Sequence, residues 1–453
     1  MKKKIIFICD PGIGILDNSL SFLNKMNKAE YEIELLLLKN NFIRNFNSKD
    51  FITKTSDKIF SKLYFYINNN LYVSENLSKA IQVTDNFDFL KNISLYINKL
   101  IFLIFKKRLL FLEKFFYYIS FLLKNKLNKN FVNKIDSENV IFDNVKFIIY
   151  DVHSEKSKVI KKIKGQIKNI KKLSIFHGSD FPSLEQKHKN KDISYINKCD
   201  QIIFSNTELE EYHYEYYFKF DNQLLKFGCP KHSSDWIKFV LDNAEKENFL
   251  KEKFVFLMTR HHDEKWFPLK NKINYLKDIK KIIIDELNYK LVLRLHPKES
   301  EELNNNLLNE IFGKKNYGKT WQISNLSPYL IGKHSQFALS FFTGLAVDLW
   351  FVGCPTIEYL SFNDVDMSKI KSDDPKFYEQ EIYYKNNEYI RKIRFNDLVI
   401  GSSNEEQLRK NISHVIHNKE EVVKKYKNLI EKKYFNREES VNKIIEFIGN
   451  NCD

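Results

Sequence analysis

Glycine and proline are scarce, at 12 and 8 among 453 residues. That excludes a collagen-like repeat and a flexible or proline-rich tether. Cysteine is sparse too. Cys9, Cys199, Cys229, Cys354 and Cys452 are odd in number, widely spaced and free of any CxxC pair. This argues against a disulfide framework and a structural zinc site, and fits a reducing cytoplasm. No uncharged apolar run reaches the roughly 18 residues that a spanning helix needs. Acidic residues are outnumbered, 58 against 73 Lys and Arg, for a formal charge of +15. A basic chain can meet nucleic acid, an anionic membrane or phosphorylated substrates. No aromatic RNA-binding signature or Cys/His finger accompanies the charge, so nucleic acid is not expected as a partner. Abundant Lys, Asn, Ile and Phe are what an AT-rich genome produces, which accounts for part of the excess.

What is present is ordinary globular material, 43% hydrophobic and 29% charged. It suffices for two or three domains, each with its own core. The opening MKKKIIFICDPG has an apolar run of only Ile5 to Cys9 before Asp10 and Pro11. That is too short for a signal peptide and reads as a buried first strand. A helix over 17–28 and a second apolar run over 32–38 complete a βαβ opening. Residues 91–130 carry nine Lys or Arg and one acid, Glu113, with Leu109, Leu112, Phe116, Ile119 and Leu123 at helical spacing. This is either a basic amphipathic segment at the inner membrane face or helices packed on the first sheet with solvated lysines. Strand-like runs return over 145–150, 173–176, 201–204 and 224–227. After a polar stretch the alternation restarts with strands over 254–258, 290–295, 320–323, 336–340 and 355–360, a helix over 343–351, and helices from 404 to 449. Two alternating blocks predict an α/β protein of two doubly wound Rossmann-like domains facing a cleft, 1–235 and 236–453.

Five loops join a strand end to polar residues. In Phe176-His177-Gly178-Ser179-Asp180, Gly178 admits a ligand near the backbone. His177, with an ordinary pKa of roughly 6.5, suits a base for an acceptor hydroxyl; Asp180 either shares that role or orients the ring. In Thr259-Arg260-His261-His262-Asp263-Glu264, the forked guanidinium of Arg260 matches phosphate oxygens. The adjacent histidines and acids are poorly spaced for one ion, so no metal is expected. In Arg294-Leu295-His296-Pro297-Lys298, strand alternation puts Arg294 and His296 on one side, with Lys298 beside them to attract a phosphate. His296 is placed to bond or protonate the leaving phosphate. In Ser340-Phe341-Phe342-Thr343-Gly344, a strand turns into a helix whose free N–H groups bind phosphate, with Ser340 and Thr343 adding hydroxyls. In Gly353-Cys354-Pro355-Thr356-Ile357-Glu358, Glu358 is placed for a ribose or sugar hydroxyl.

At these residues the chain resembles the GT-B superfamily, nearest the branch of CDP-glycerol glycerophosphotransferases and capsule-type transferases. That branch shows a His-Gly loop (His177-Gly178), a Gly-x-Pro (Gly228-Cys229-Pro230), a Thr-Arg strand end (Thr259-Arg260), Arg-x-His-Pro (Arg294 to Pro297) and a hydroxyl-rich turn (Ser340 to Gly344). The match runs over 145–360. The resemblance implies a histidine base at His177, nucleotide phosphate held by the other loops, and a cytidine-type donor. Two departures stand out. Lys231-His232 follows the Gly-x-Pro in place of Arg-x-Asp, and Phe-Thr-Gly replaces a Ser-Ser pair. His-Pro with a Ser/Thr turn is also similar to sialyl- and Kdo-transferases, so a CMP- or CDP-linked sugar donor is expected over glycerol phosphate. The expected activity is metal-independent, cofactor-free transfer of that sugar to a surface polysaccharide or lipid-linked acceptor. A polyol-phosphate transferase of the teichoic-acid type, a GT-B-like nucleotide-sugar epimerase and a non-catalytic scaffold are the alternatives.

Overall fold

A computed structural model of the chain describes residues 2–10, 14–38, 43, 46, 51–67, 70–82, 84–85, 133–135, 141–151, 167, 169–175, 200–203, 224–296, 299, 301–375, 378, 381–434 and 436–452. The chain divides into two compact units. One comprises Met1–Leu16, Leu23–Ser174 and Ile448–Asp453; the other comprises Asp17–Phe22 and Ile175–Phe447.

The first sheet is built from β1 (Lys3–Cys9), β2 (Tyr31–Leu37), β3 (Lys62–Ile67), β4 (Asn70–Ser74), β5 (Asn133–Ile135), β6 (Val145–Asp151), β7 (Lys171–Ile175), β8 (Gln201–Ile203) and β9 (Leu224–Leu225). Their order is β5-β4-β3-β2-β1-β6-β7-β8-β9. In β1 every residue from Ile5 to Cys9 is buried, as a central parallel strand covered on both faces requires. It pairs in parallel with β2 and β6. The antiparallel β3–β4 pair and the helix Phe51–Ile59 were not expected from the sequence. Their signal is present as two aromatic runs flanking Asn68-Asn69, a hairpin pattern.

The second sheet contains β10 (Phe254–Met258), β11 (Lys290–Arg294), β12 (Trp321–Ile323), β13 (Ala338–Ser340), β14 (Thr356–Tyr359) and β17 (Ile400–Ser402). All neighbours run parallel. The order β12-β11-β10-β13-β14-β17 is 3-2-1-4-5-6 when the strands are counted within the domain, the Rossmann arrangement. Between β14 and β17 stands a hairpin, β15 (Ile382–Lys385) and β16 (Glu388–Arg391). Asn386 and Asn387 both adopt positive φ there, 53° and 62°, as a two-residue turn of the I′ kind demands. Three helices close the chain, Glu405–His417, Lys419–Lys433 and Arg437–Asn451. The first is capped by Asn404, whose side chain accepts from Gln407 N–H, and has Glu405 and Glu406 at its positive end. The core of this unit includes Trp350, fully buried, which donates to Leu398 O at 2.9 Å and stacks on Tyr426 with centroids 4.3 Å apart.

Among the described residues no helix is long and apolar enough to cross a membrane. Cys9, Cys229, Cys354 and Cys452 are buried. Residues 91–130 lie outside the described residues, and the expected membrane segment with them.

Candidate functional site

Parallel register lines up the chemistry of the second sheet. Met258 pairs with Arg294 on one side and Ser340 on the other, and Ser340 pairs with Glu358. These four residues therefore stand at one level across adjacent strands, the first three ending theirs and Glu358 one residue short of its strand's end. Two positions further along come Arg260, His296 and Phe342. Strand order reverses between β10 and β13, and open α/β sheets bind ligands beyond the strand ends at such a point.

The upper row is in mutual contact. Arg260 Nη1 lies 3.0 Å from His296 Nε2. The Arg260 guanidinium also sits over the Phe342 ring, 4.9 Å from its centroid, and within 5.9 Å of the Trp266 ring. His261 and His296 have ring centroids 5.2 Å apart. Arg260 and His296 are both half-buried, so the pair is open to a ligand. A guanidinium only donates, so Nε2 of His296 accepts; the ring proton is on Nδ1 and the ring is neutral.

Glu299, absent from the sequence expectations, holds this pair in place. Its Oε2 accepts the main-chain N–H of His296 at 2.6 Å and also the Thr259 hydroxyl. Its Oε1 takes the ammonium of Lys272, from the helix Leu269–Ile279. The Lys272 and Glu299 side chains are 2% and 1% exposed. One carboxylate thus ties together the loops after β10 and β11.

The other expected residues are distributed differently. Arg294 ends its strand and His296 lies beyond it, so the two side chains diverge: Arg294 Nη1 donates to Leu326 O at 2.6 Å. The helix expected over 343–351 is a single α turn, Leu345–Asp348, passing into a 3-10 turn, Leu349–Val352, which Gly353 ends at φ 73°. Its first N–H groups are already used. Leu345 N–H donates to Thr343 Oγ1 at 3.3 Å, Ala346 N–H to Thr343 O, and Val347 N–H to Gly344 O. Thr343 therefore caps the turn, and these N–H groups are turned onto the chain itself. Ser340 is 1% exposed, with Oγ lacking any hydrogen-bond partner among the described residues. Glu358 does not follow its strand but lies inside β14, 2% exposed, with Arg391 Nη1 3.6 Å away. Burial pushes its carboxyl above the ordinary value, with Arg391 opposing. It serves as counter-ion to Arg391 and is not presented to a donor ribose. His177, Asp180 and Lys298 lie outside the described residues. Among the described residues no group of three or more His, Cys, Asp or Glu is arranged to hold a metal ion.

A buried charge cluster backs the Ser340–Gly344 loop. Asp348 Oδ2 takes the ammonium of Lys231 at 2.7 Å, and its Oδ1 accepts from His232 Nε2 at 2.8 Å. Burial works against the charge of Asp348, yet Lys231 and His232 hold its carboxyl well below the usual range. Burial likewise lowers the pKa of His232, against the pull of Asp348. His232 stacks on Phe351 at 4.2 Å, and Arg437 Nη1 donates to its carbonyl at 3.0 Å. These are the two residues at which the sequence departs from the Arg-x-Asp pattern, and here they form one packed unit with Asp348.

No family model matches the chain, and no curated protein does. Solved structures do share its fold. A UDP-GlcNAc 2-epimerase of Methanocaldococcus jannaschii, in complex with UDP-GlcNAc and UDP, is similar over 99% of this chain and 100% of its own at TM-score 0.50 and 12% identity. The UDP co-structure of S. aureus MnaA is similar over 98% of this chain and 96% of its own, at TM-score 0.53 and 10% identity. The wall teichoic acid polymerase TagF overlays 69% of this chain at TM-score 0.42, a likeness too low to argue from. The fold is GT-B, with two Rossmann-like domains.

Proposed function

We propose that this chain is an enzyme acting on a nucleotide-activated sugar, with the donor phosphates held at Arg260 and His296, and that its reaction is transfer of the sugar to a glycan or lipid-linked hydroxyl. One observation carries the reading. A cation and an imidazole, 36 residues apart in sequence, meet at 3.0 Å where the order of a six-stranded Rossmann sheet reverses. A fork of N–H donors in that position matches a phosphate. As the glycosidic bond breaks, charge grows on the leaving phosphate, and Arg260 stabilises it there. His177 is the residue assigned as base for the acceptor hydroxyl, with Asp180 beside it in sequence.

The test is a thermal-shift panel of CMP, CDP, UDP, GDP and their sugars. A binder at 100 times its dissociation constant stabilises the fold by about 2.7 kcal/mol. Arg260→Ala should lose the shift while remaining folded. Undiminished shifts in that variant would remove the phosphate from this site. The cytidine-type donor stands or falls on which member of the panel binds.

A second reading is epimerisation of the donor, favoured by similarity over nearly the whole length to a UDP-GlcNAc 2-epimerase. The two readings separate in one reaction. Turnover of the bound nucleotide sugar without any acceptor indicates epimerase; strict dependence on an acceptor indicates transferase.

A further inference from the structure

Arg260 holds His296 in a form that cannot act as an acid. Its Nη1 occupies the Nε2 lone pair, and a fixed cation 3.0 Å away opposes a second positive charge on the ring. A phosphate arriving at the loop is a stronger acceptor for the guanidinium than a neutral imidazole is. It would take over the Nη1–H bond and release the lone pair, at the same moment placing negative charge beside the ring. We infer that nucleotide binding exchanges Arg260 from His296 to the phosphate and draws one solvent proton onto His296 Nε2, leaving an imidazolium against the leaving group. The inference rests on the proposed phosphate site and gives it a proton of its own.

The balance is simple. Arg260 keeps its charge throughout and only redirects one N–H. The Nε2 lone pair forms a bond to a proton supplied by solvent. When the sugar–phosphate bond breaks, the imidazolium can pass that proton to the phosphate oxygen and return to the neutral, Arg260-bonded state. The described charged and titratable groups around the ring are consistent with this. Arg260 and His261 approach it from the loop after β10. Glu299 bonds the His296 main chain rather than the ring, and its charge is already matched by Lys272 from the helix behind. Glu299 thus anchors the His296 main chain, while Arg260 is the group set against its Nε2.

The experiment is titration calorimetry of the full chain with UDP-GlcNAc, CDP-glycerol and CMP-sialic acid. These esters carry no phosphate proton that titrates near neutrality. Each is run at about pH 7.5 in buffers of different ionisation enthalpy; the slope of observed enthalpy against buffer enthalpy counts protons. The expected result is uptake approaching ~1 proton with the probe that binds, lost in His296→Gln, which keeps an acceptor for Arg260. Binding without uptake overturns the inference and leaves the phosphate site standing. Uptake that survives in His296→Gln also overturns it, because another group is then titrating. Binding by none of the three probes removes the phosphate site and the inference together. If His296→Gln does not fold, the wild type still decides. Its affinity should fall by up to about tenfold per pH unit above the imidazolium's pKa, and a flat profile from pH about 6 to 9 would refute the exchange.

Discussion

Arg391 lies over Phe342, with its guanidinium carbon 3.2 Å from the ring centroid. It is 2% exposed and sits between two acids, Glu381 at 3.0 Å and Glu358 at 3.6 Å. The hairpin that ends in β16 thus clasps the Ser340–Gly344 loop through one buried cation. Arg391→Ala would take the nearby cation from buried Glu358 and leave half-buried Glu381 with Lys392, so a loss of about 3–5 kcal/mol is expected in urea unfolding. Arg391→Lys should recover little, since an ammonium cannot spread over the ring and reach two acids. Full stability in Arg391→Ala would show the clasp to be inert.

Lys272 and Glu299 are expected to behave as a matched pair. Lys272→Met strands a buried carboxylate and should cost about 3–5 kcal/mol. Combining it with Glu299→Leu should restore much of that stability. The double variant should nevertheless bind nucleotide poorly, because His296 N–H and Thr259 lose the acceptor that joins their loops. Denaturation midpoint and thermal shift, measured on the same samples, separate the two effects. Wild-type ligand shifts in the double variant would show that Glu299 does not position the site.

Acid should weaken the fold through the cluster behind the loop. His232 has a depressed pKa, so below its ordinary value of about 6.5 the unfolded chain takes up a proton that the folded chain refuses. Stability is then lost as pH falls. Asp348, also depressed, adds a second loss below about pH 4, where its unfolded carboxyl protonates. Unfolding midpoints of the wild type and His232→Asn between about pH 7.5 and 5 test the first step. The variant should be less stable at neutrality and show a shallower fall. Parallel curves would assign the slope to other groups.

His177→Ala should abolish transfer while keeping the nucleotide thermal shift, whereas Arg260→Ala should weaken nucleotide binding by tenfold or more, as loss of a charge-assisted bond of about 1.5–3 kcal/mol implies. Full turnover in His177→Ala would discard it as the base.

The second domain was largely readable because its strands are uninterrupted apolar runs. Phe254–Met258 is found where the sequence puts it, and the ends of β11, β13 and β14 differ by one or two residues. The positions of Arg260 and His296 just past strand ends are readable for the same reason: each follows such a run. Glu299, Arg391 and the Lys231–His232–Asp348 group were not. Most of their partners lie tens of residues off, and a Lys or Glu that becomes buried looks no different in the sequence from one that stays in water. Apolar spacing predicts a longer helix after Thr343 because it does not separate an α turn from the 3-10 turn that Gly353 ends. The β15–β16 hairpin carries a turn signal at Asn386-Asn387, but its strands are too short and polar to stand out in the sequence.

The alignment of Met258, Arg294, Ser340 and Glu358 across four strands makes the chemistry of this domain a matter of reading frame. Deleting any one residue of β11 would shift its end out of register with β10 and draw His296 away from Arg260 even if every amino acid named above were retained. Length within these short strands should therefore be less tolerant of change than composition, and a one-residue deletion more damaging than most substitutions beside it.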